Sequence, residues 1–150
     1  EAGDRAKGAD MKLAVIKEVV DGKRVIVVDD SIVRGTTARR RVEALRRAGA
    51  KEIHVRISCP PVAHPCFFGI DFPTREELIA GAKDAGKIKD FIGADSLGYL
   101  SVEGLLSPLK NPGWYCTACY TGEYAVDISA MRGKRALESS SPDLQLDFGS

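Results

Sequence analysis

No apolar run in this chain approaches the ~20 residues that span a bilayer, so a membrane-crossing helix is not expected. No charge of one sign dominates either. The 22 Lys and Arg residues face 21 Asp and Glu residues, for a net charge of +1. That leaves no long-range field to draw nucleic acid or an anionic membrane. The first ten residues are polar and charged and carry no apolar core, which argues against a secretory signal and for the cytoplasm. Neither a GxxxxGK[ST] loop nor a GxGxxG turn occurs, which excludes the two commonest glycine-rich nucleotide signatures. There are no internal repeats. Cysteine is sparse: Cys59, Cys66, Cys116 and Cys119. In a reducing compartment such a set suggests metal or redox chemistry more than structural disulfides. The chain opens on Glu1 with no cap or turn signal, and is expected to be part of a longer protein.

What is present suffices for one folded domain. The chain has 150 residues, 44% hydrophobic and 29% charged. Its organising stretch runs from Arg24 to Thr37. Residues 25–28 are uninterrupted Val and Ile, which predicts a strand buried on both faces, as in a parallel sheet. Asp29 and Asp30 follow at once. Ser31, Arg34, Gly35, Thr36 and Thr37 then lead into a helical pattern over 37–48, with an apolar stripe of Ala38, Val42, Leu45 and Ala48 and a stop at Gly49. The arginines Arg39, Arg40, Arg41, Arg46 and Arg47 read as a solvated helix face in preference to a nucleic-acid patch, with Arg39–Glu43 and Glu43–Arg47 as i,i+4 pairs. Ile53, Val55 and Ile57 alternate with polar residues and predict a second strand over 52–58.

Elsewhere the signals are shorter. Residues 11–16 suggest a strand before the Asp21-Gly22 turn, in a hairpin or a simple lead-in. Cys59-Pro60-Pro61 ends the sheet and opens a loop over 59–73. Thr74-Arg75-Glu76-Glu77 is a capping box, predicting a helix to about Lys83. A helix over 88–92 ends at Gly93, a strand covers 97–100, and Ser101 caps a helix to Leu106. Asn111-Pro112-Gly113 is a turn. Residues 133–150 read as a mobile tail.

The chemistry lies after the first strand. In an open α/β sheet, ligands bind beyond the carboxyl edge. Asp29 and Asp30 sit there and can accept hydrogen bonds from vicinal hydroxyls or hold Mg²⁺. The plainer alternative is that one caps the loop and the other pairs with a cation. The hydroxyl-rich loop before a helix N-terminus suits a phosphate. Its plainer alternative is an ordinary cap by Thr36 or Thr37. Together they suggest a phosphorylated sugar.

Residues 25–37 resemble the phosphoribosyl-pyrophosphate (PRPP) motif of type I phosphoribosyltransferases. The wording Asp29-Asp30-Ser31-Ile32-Val33-Arg34-Gly35-Thr36-Thr37 is most similar to that of the glutamine PRPP amidotransferase family. The likeness extends over about residues 11–124, through Gly49-Ala50-Lys51-Glu52, His64-Pro65-Cys66, Thr74-Arg75-Glu76-Glu77-Leu78-Ile79, Ile92-Gly93-Ala94-Asp95-Ser96-Leu97 and Cys116-Thr117-Ala118-Cys119-Tyr120-Thr121-Gly122. The resemblance implies a partial type I phosphoribosyltransferase-like α/β domain, a parallel sheet with flanking helices. Residues 1–124 would form its C-terminal part with an iron–sulfur ligand region, and 125–150 a flexible tail.

It also implies an activity: transfer of ammonia from glutamine to C1 of PRPP, giving phosphoribosylamine, glutamate and pyrophosphate, the first step of purine synthesis. Asp29 and Asp30 would engage the ribose hydroxyls and Mg²⁺, and Ser31, Arg34, Gly35, Thr36 and Thr37 would cradle the 5′-phosphate. No side chain of this stretch is implied as a catalytic acid or base. Purine nucleotides are implied as inhibitors, and a homo-oligomer as the assembly. In one branch of the family, matching cysteines hold a [4Fe–4S] cluster, making Cys66, Cys116 and Cys119 three of four ligands. Cys59 is a lesser candidate for the fourth, zinc is the alternative metal, and unligated thiols are the plain reading. His64 is expected to be structural, and Trp114 and Tyr115 to pack near the cysteines. Glutamine would be handled by an N-terminal domain absent here, so these 150 residues alone are expected to be inactive. A nucleobase phosphoribosyltransferase or a non-catalytic PRPP-binding regulator are the competing readings.

Overall fold

The computed structural model describes residues 15–70 and 74–128. The polar lead-in over 1–10, most of the strand expected over 11–16 and the tail expected over 133–150 lie outside the described residues. Val15 and Ile16 are irregular, and Lys17–Val20 form a one-turn helix, α1, in place of a hairpin arm. The Asp21-Gly22 turn then leads into β1 (Arg24–Asp29), which pairs in parallel with β2 (Glu52–Ile57). β2 pairs in parallel with β3 (Ser96–Tyr99), giving the order β1-β2-β3. Between the strands lie α2 (Thr36–Arg47), α3 (Ile79–Ala82) and α4 (Ala85–Ile92). After β3 come α5 (Val102–Leu106), a 3₁₀ turn (Pro112–Trp114) and α6 (Ala118–Thr121).

The core forms on one face of the sheet. Ile53, Val55 and Ile57 of β2 are buried, as their alternation requires, and meet Ala38, Val42 and Leu45 of α2 and Ile88 and Ile92 of α4. α2 ends where glycine allows: Gly49 has φ 96°, its N–H bonds Arg46 O at 3.0 Å, and Ala50 N bonds Leu45 O at 3.1 Å. Asp84 and Ser101 cap α4 and α5, each accepting a backbone N–H at 2.9 Å.

β1 departs from its expected burial on both faces. Val25 and Val27 pack on the core, but Ile26 and Val28 are 68% and 70% exposed. A continuous apolar run shows that both faces are suited to cover, not that both are covered within the described residues. On that open face β2 presents polar residues: His54 bonds Ser96 Oγ at 2.9 Å and Glu52 at 3.1 Å, and Arg56 bonds the same hydroxyl at 3.0 Å.

The capping box also fails to start a helix. Glu77 N bonds Thr74 O at 3.0 Å, but residues 75–77 form only a turn, and Leu78 is extended and fully buried. The Thr74 hydroxyl goes to Glu76, while the Glu77 carboxylate leaves for Arg34. Burying Leu78 outweighs the local cap. Among the described residues no helix is long and apolar enough to cross a membrane.

Ile92 is fully buried between α2 and the sheet. Ile92→Ala should cost about 2–5 kcal/mol in denaturant unfolding. Asp84→Ala, which removes only an exposed cap, should shift the same transition by much less.

Candidate functional site

β1 delivers its last residue, Asp29, to the carboxyl edge, where Asp29 O accepts Ser58 N at 2.9 Å. The chain then crosses to α2 in six residues and outlines a cleft of about 410 Å³ lined by residues 29–38 and Arg41. The structure thus brings Asp29, Asp30, Ser31, Arg34, Gly35, Thr36 and Thr37 to one cavity.

Gly35 makes the connection possible. It is the N-cap of α2 with φ 77°, in the left-handed region. A Cβ there would also lie 2.8 Å from Ile79 Cδ1 and 3.1 Å from the Phe91 ring. The plainer alternative, a cap by Thr36 or Thr37, does not form: both lie in the first turn, exposed, and no side chain caps the helix. An α-helix leaves its first N–H groups without partners inside the helix. The first turn of α2 carries no acidic side chain to offset its positive end. Such a helix end attracts an anion.

The two carboxylates differ. Asp29 is paired through Oδ2 with Arg41 Nη1, and both side chains are about one-quarter exposed. Asp30 is exposed and accepts a hydrogen bond from Ser31 Oγ at 3.1 Å. One acid is therefore neutralised by its partner and the other is free to meet a hydroxyl or cation. Arg41 is a site residue that the arginine-rich helix face concealed. It stands four residues after Thr37, on the same side of α2, and reaches back to the strand. Its Nε is buried without a partner. The Arg39–Glu43 pair forms at 2.9 Å, but no Glu43–Arg47 pair forms among the described residues. Arg34, at the rim, is held by Glu77, with Nε and Nη2 at 2.8 and 2.7 Å from the same carboxylate oxygen.

The cysteines form a second region. Ala63 and His64 both donate their N–H to Cys119 O, at 3.0 and 3.1 Å, which ties the 59–70 loop to α6. Phe68 N donates to Cys66 Sγ at 3.4 Å. Burial pushes the Cys119 thiol up, and neighbouring Cys66 and Cys116 add to the shift. Burial likewise raises Cys59, against a hydrogen bond from Tyr120. Cys66 and Cys116 thus both lie within electrostatic reach of Cys119. Among the described residues, however, no group of three or more His, Cys, Asp or Glu side chains closes into a metal site. The expected aromatic packing falls to other rings. Trp114 and Tyr115 are 84% and 54% exposed, while Tyr124 meets Phe67 edge-on at 5.3 Å and bonds Pro65 O at 2.7 Å. The His64 ring packs against the backbone of Gly122, where an added Cβ would come 2.8 Å from it.

A parallel sheet whose strand ends in paired acids and a hydroxyl-rich loop opening a helix defines a phosphoribosyltransferase-type domain. The family model described as a phosphoribosyl transferase domain matches residues 6–66. Amidophosphoribosyltransferases from Bacillus subtilis and Synechococcus elongatus are 55% and 49% identical over 130 and 138 residues, or 83% and 90% of this chain. A chloroplastic one from Vigna aconitifolia is 48% identical over 94% of it. The chain belongs to the amidophosphoribosyltransferase family. It spans 27%, 28% and 29% of the length of those three relatives. A solved B. subtilis glutamine PRPP amidotransferase, complexed with ADP and GMP, superposes with a TM-score of 0.74 at 52% identity, covering 83% of this chain and 28% of that one.

Gly35→Ala combines an unfavourable φ with a close contact and should lower stability by about 1–3 kcal/mol in a thermal melt. The Tyr99 and Tyr120 phenols are each pushed up to about 12, first by burial and then by the neighbouring Cys59. A raised pKa means that the folded state holds the proton more tightly. Their contribution to stability is complete below the ordinary phenol value of about 10 and is lost as pH rises towards 12. Phenolate absorbance and unfolding followed together should therefore rise in step across that window.

Proposed function

We propose that this chain forms the ribose- and 5′-phosphate-binding part of the PRPP site in an amidophosphoribosyltransferase, with residues 1–124 as the C-terminal part of the transferase domain and 125–150 as its tail. The single observation that carries this reading is the cleft of about 410 Å³ between the Asp29-Asp30 strand end and the uncapped N-terminus of α2. In the proposed reaction the C1–oxygen bond to pyrophosphate breaks, a C1–nitrogen bond forms to glutamine-derived ammonia, and the ammonia nitrogen gives up one proton. Positive charge builds on the ribose ring as the leaving group departs.

The residues present fit that task. The 5′-phosphate is held by the α2 N–H groups, with Ser31, Thr36 and Thr37 as hydroxyl donors and Arg34 as a cation. Asp30 accepts from a ribose hydroxyl, and Asp29, paired through Oδ2 with Arg41, stands beside it at the carboxyl end of β1. Both carboxylates line the cleft, where they would stabilise positive charge developing on a bound ribose ring. Asp29 and Asp30 are also the residues that would hold Mg²⁺, which supplies charge neutralisation at the leaving pyrophosphate. With Arg41 cancelling one carboxylate, the pair carries about one net negative charge. That suits a cation brought in with its phosphate ligands better than a standing metal cage.

The reading extends to Cys66, Cys116 and Cys119 as three ligands of a [4Fe–4S] cluster. What supports it is the Cys116-x-x-Cys119 spacing, the Phe68 N–H that donates to Cys66 Sγ, and the backbone bonds from Ala63 and His64 to Cys119 O that bring the Cys66 loop to α6. Four thiolates are needed; the fourth is assigned to a cysteine elsewhere in the protein, with Cys59 as the lesser candidate. Glutamine hydrolysis belongs to a separate domain, purine nucleotides act as inhibitors, and the protein is a cytoplasmic homo-oligomer.

Asp29→Asn with Asp30→Asn in the intact protein should weaken PRPP binding at least about tenfold, as expected for losing two charge-assisted contacts. Undiminished affinity by calorimetry would sink the assignment. Anaerobically purified intact protein should contain iron and acid-labile sulfide and show a brown colour. Stoichiometric zinc without iron would refute the cluster.

A further inference from the structure

We infer that Glu77 is a positioning residue for the anion site: it grips the Arg34 guanidinium by one edge and leaves its Nη1 end for a phosphate ester. The inference rests on reading the cleft as a PRPP site. Arg34 Nε and Nη2 converge on a single oxygen of Glu77, at 2.8 and 2.7 Å. Nη1 takes no part in that contact, and Arg34 also lines the cleft. An exposed arginine would otherwise sample many rotamers and lose that freedom when an anion binds. Fixed by Glu77, it meets the phosphate with part of the ordering already done.

The backbone that carries Glu77 is itself well anchored. Glu77 stands two residues before Ile79, whose N–H donates to Val33 O at 2.9 Å and whose Cδ1 lies where a Gly35 side chain would be. Leu78 beside it is fully buried. The segment carrying Glu77 is therefore riveted to the phosphate loop by backbone and core contacts that do not involve the carboxylate. Removing the charge should disturb Arg34 and not the fold. Both side chains are about half exposed, so the effect is modest and sensitive to salt.

The test uses the intact protein, with ribose 5-phosphate and PRPP as calorimetric probes at low salt. Glu77→Gln should weaken both by about three- to fivefold, the range open to an exposed ion pair. It should raise KM for PRPP with kcat unchanged and leave the melting temperature within about a degree of wild type. Glu77→Asp should recover part of the loss. In an Arg34→Ala background, Glu77→Gln should have no further effect. Unchanged affinity, or an equal loss in the Arg34→Ala background, would overturn the inference. Tighter binding by Glu77→Gln would also overturn it, showing that Glu77 competes with the phosphate for Arg34. If wild-type protein binds neither probe, the reading of the cleft falls, and this inference with it.

Discussion

The geometry of the site depends on one backbone torsion. At Gly35 the chain takes φ 77°, which turns it from the loop after β1 into the axis of α2. Only then does the positive end of a twelve-residue helix lie beside the carboxyl end of a parallel strand. The torsion is not free to relax, because Ile79 and Phe91 fill the space that a side chain would need. Packing by two later elements thus holds an early turn in place. Phe91 is in turn flanked by Arg39 and Lys83, at 5.5 and 5.8 Å from its ring centre. The cleft is local in sequence, but its rigidity comes from Ile79 and Phe91, far downstream.

Electrostatics then separates two residues that look alike. Asp29 and Asp30 are adjacent and chemically identical, yet one answers to Arg41 and the other to solvent and Ser31. Two unpaired carboxylates at this edge would oppose the pull of the helix end on an anion. Pairing one of them leaves enough negative charge for hydroxyls or a metal without cancelling the pull of the loop. The same economy governs Arg34, whose charge is tempered by Glu77.

Much of this was legible in the residues. The alternation of Ile53, Val55 and Ile57 placed β2 and its buried face, and the stripe of Ala38, Val42 and Leu45 placed α2 with its stop at Gly49. The Asp-Asp-Ser run and the Gly-Thr-Thr step marked the cleft because strand ends and helix starts have strong local signatures. Three things were hidden, each for a tertiary reason. Arg41 looked like its neighbours on a charged helix, and only the position of β1 singles it out. Glu77 looked like half of a capping box until burial of Leu78 cut the helix back to one turn. Residues 25–28 looked covered on both sides, since composition reports how well a face suits burial and is silent about what lies against it. The cysteines stand between these cases: spacing brought Cys116 and Cys119 to notice, but only the backbone bonds from 63 and 64 to Cys119 show that Cys66 lies in the same neighbourhood.

The open side of the sheet bears on how such a chain would drift. Ile26 and Val28 stand exposed beside a polar rung built from His54, Arg56 and Ser96. Within the described residues little packing energy depends on those two side chains, so selection for the stability of this unit alone would let them wander towards polar residues. Their persistence or loss in lineages would measure an outside pressure, separately from anything acting on the cleft. The sheet thus carries two records: one face under the discipline of its own core, the other written by whatever it meets.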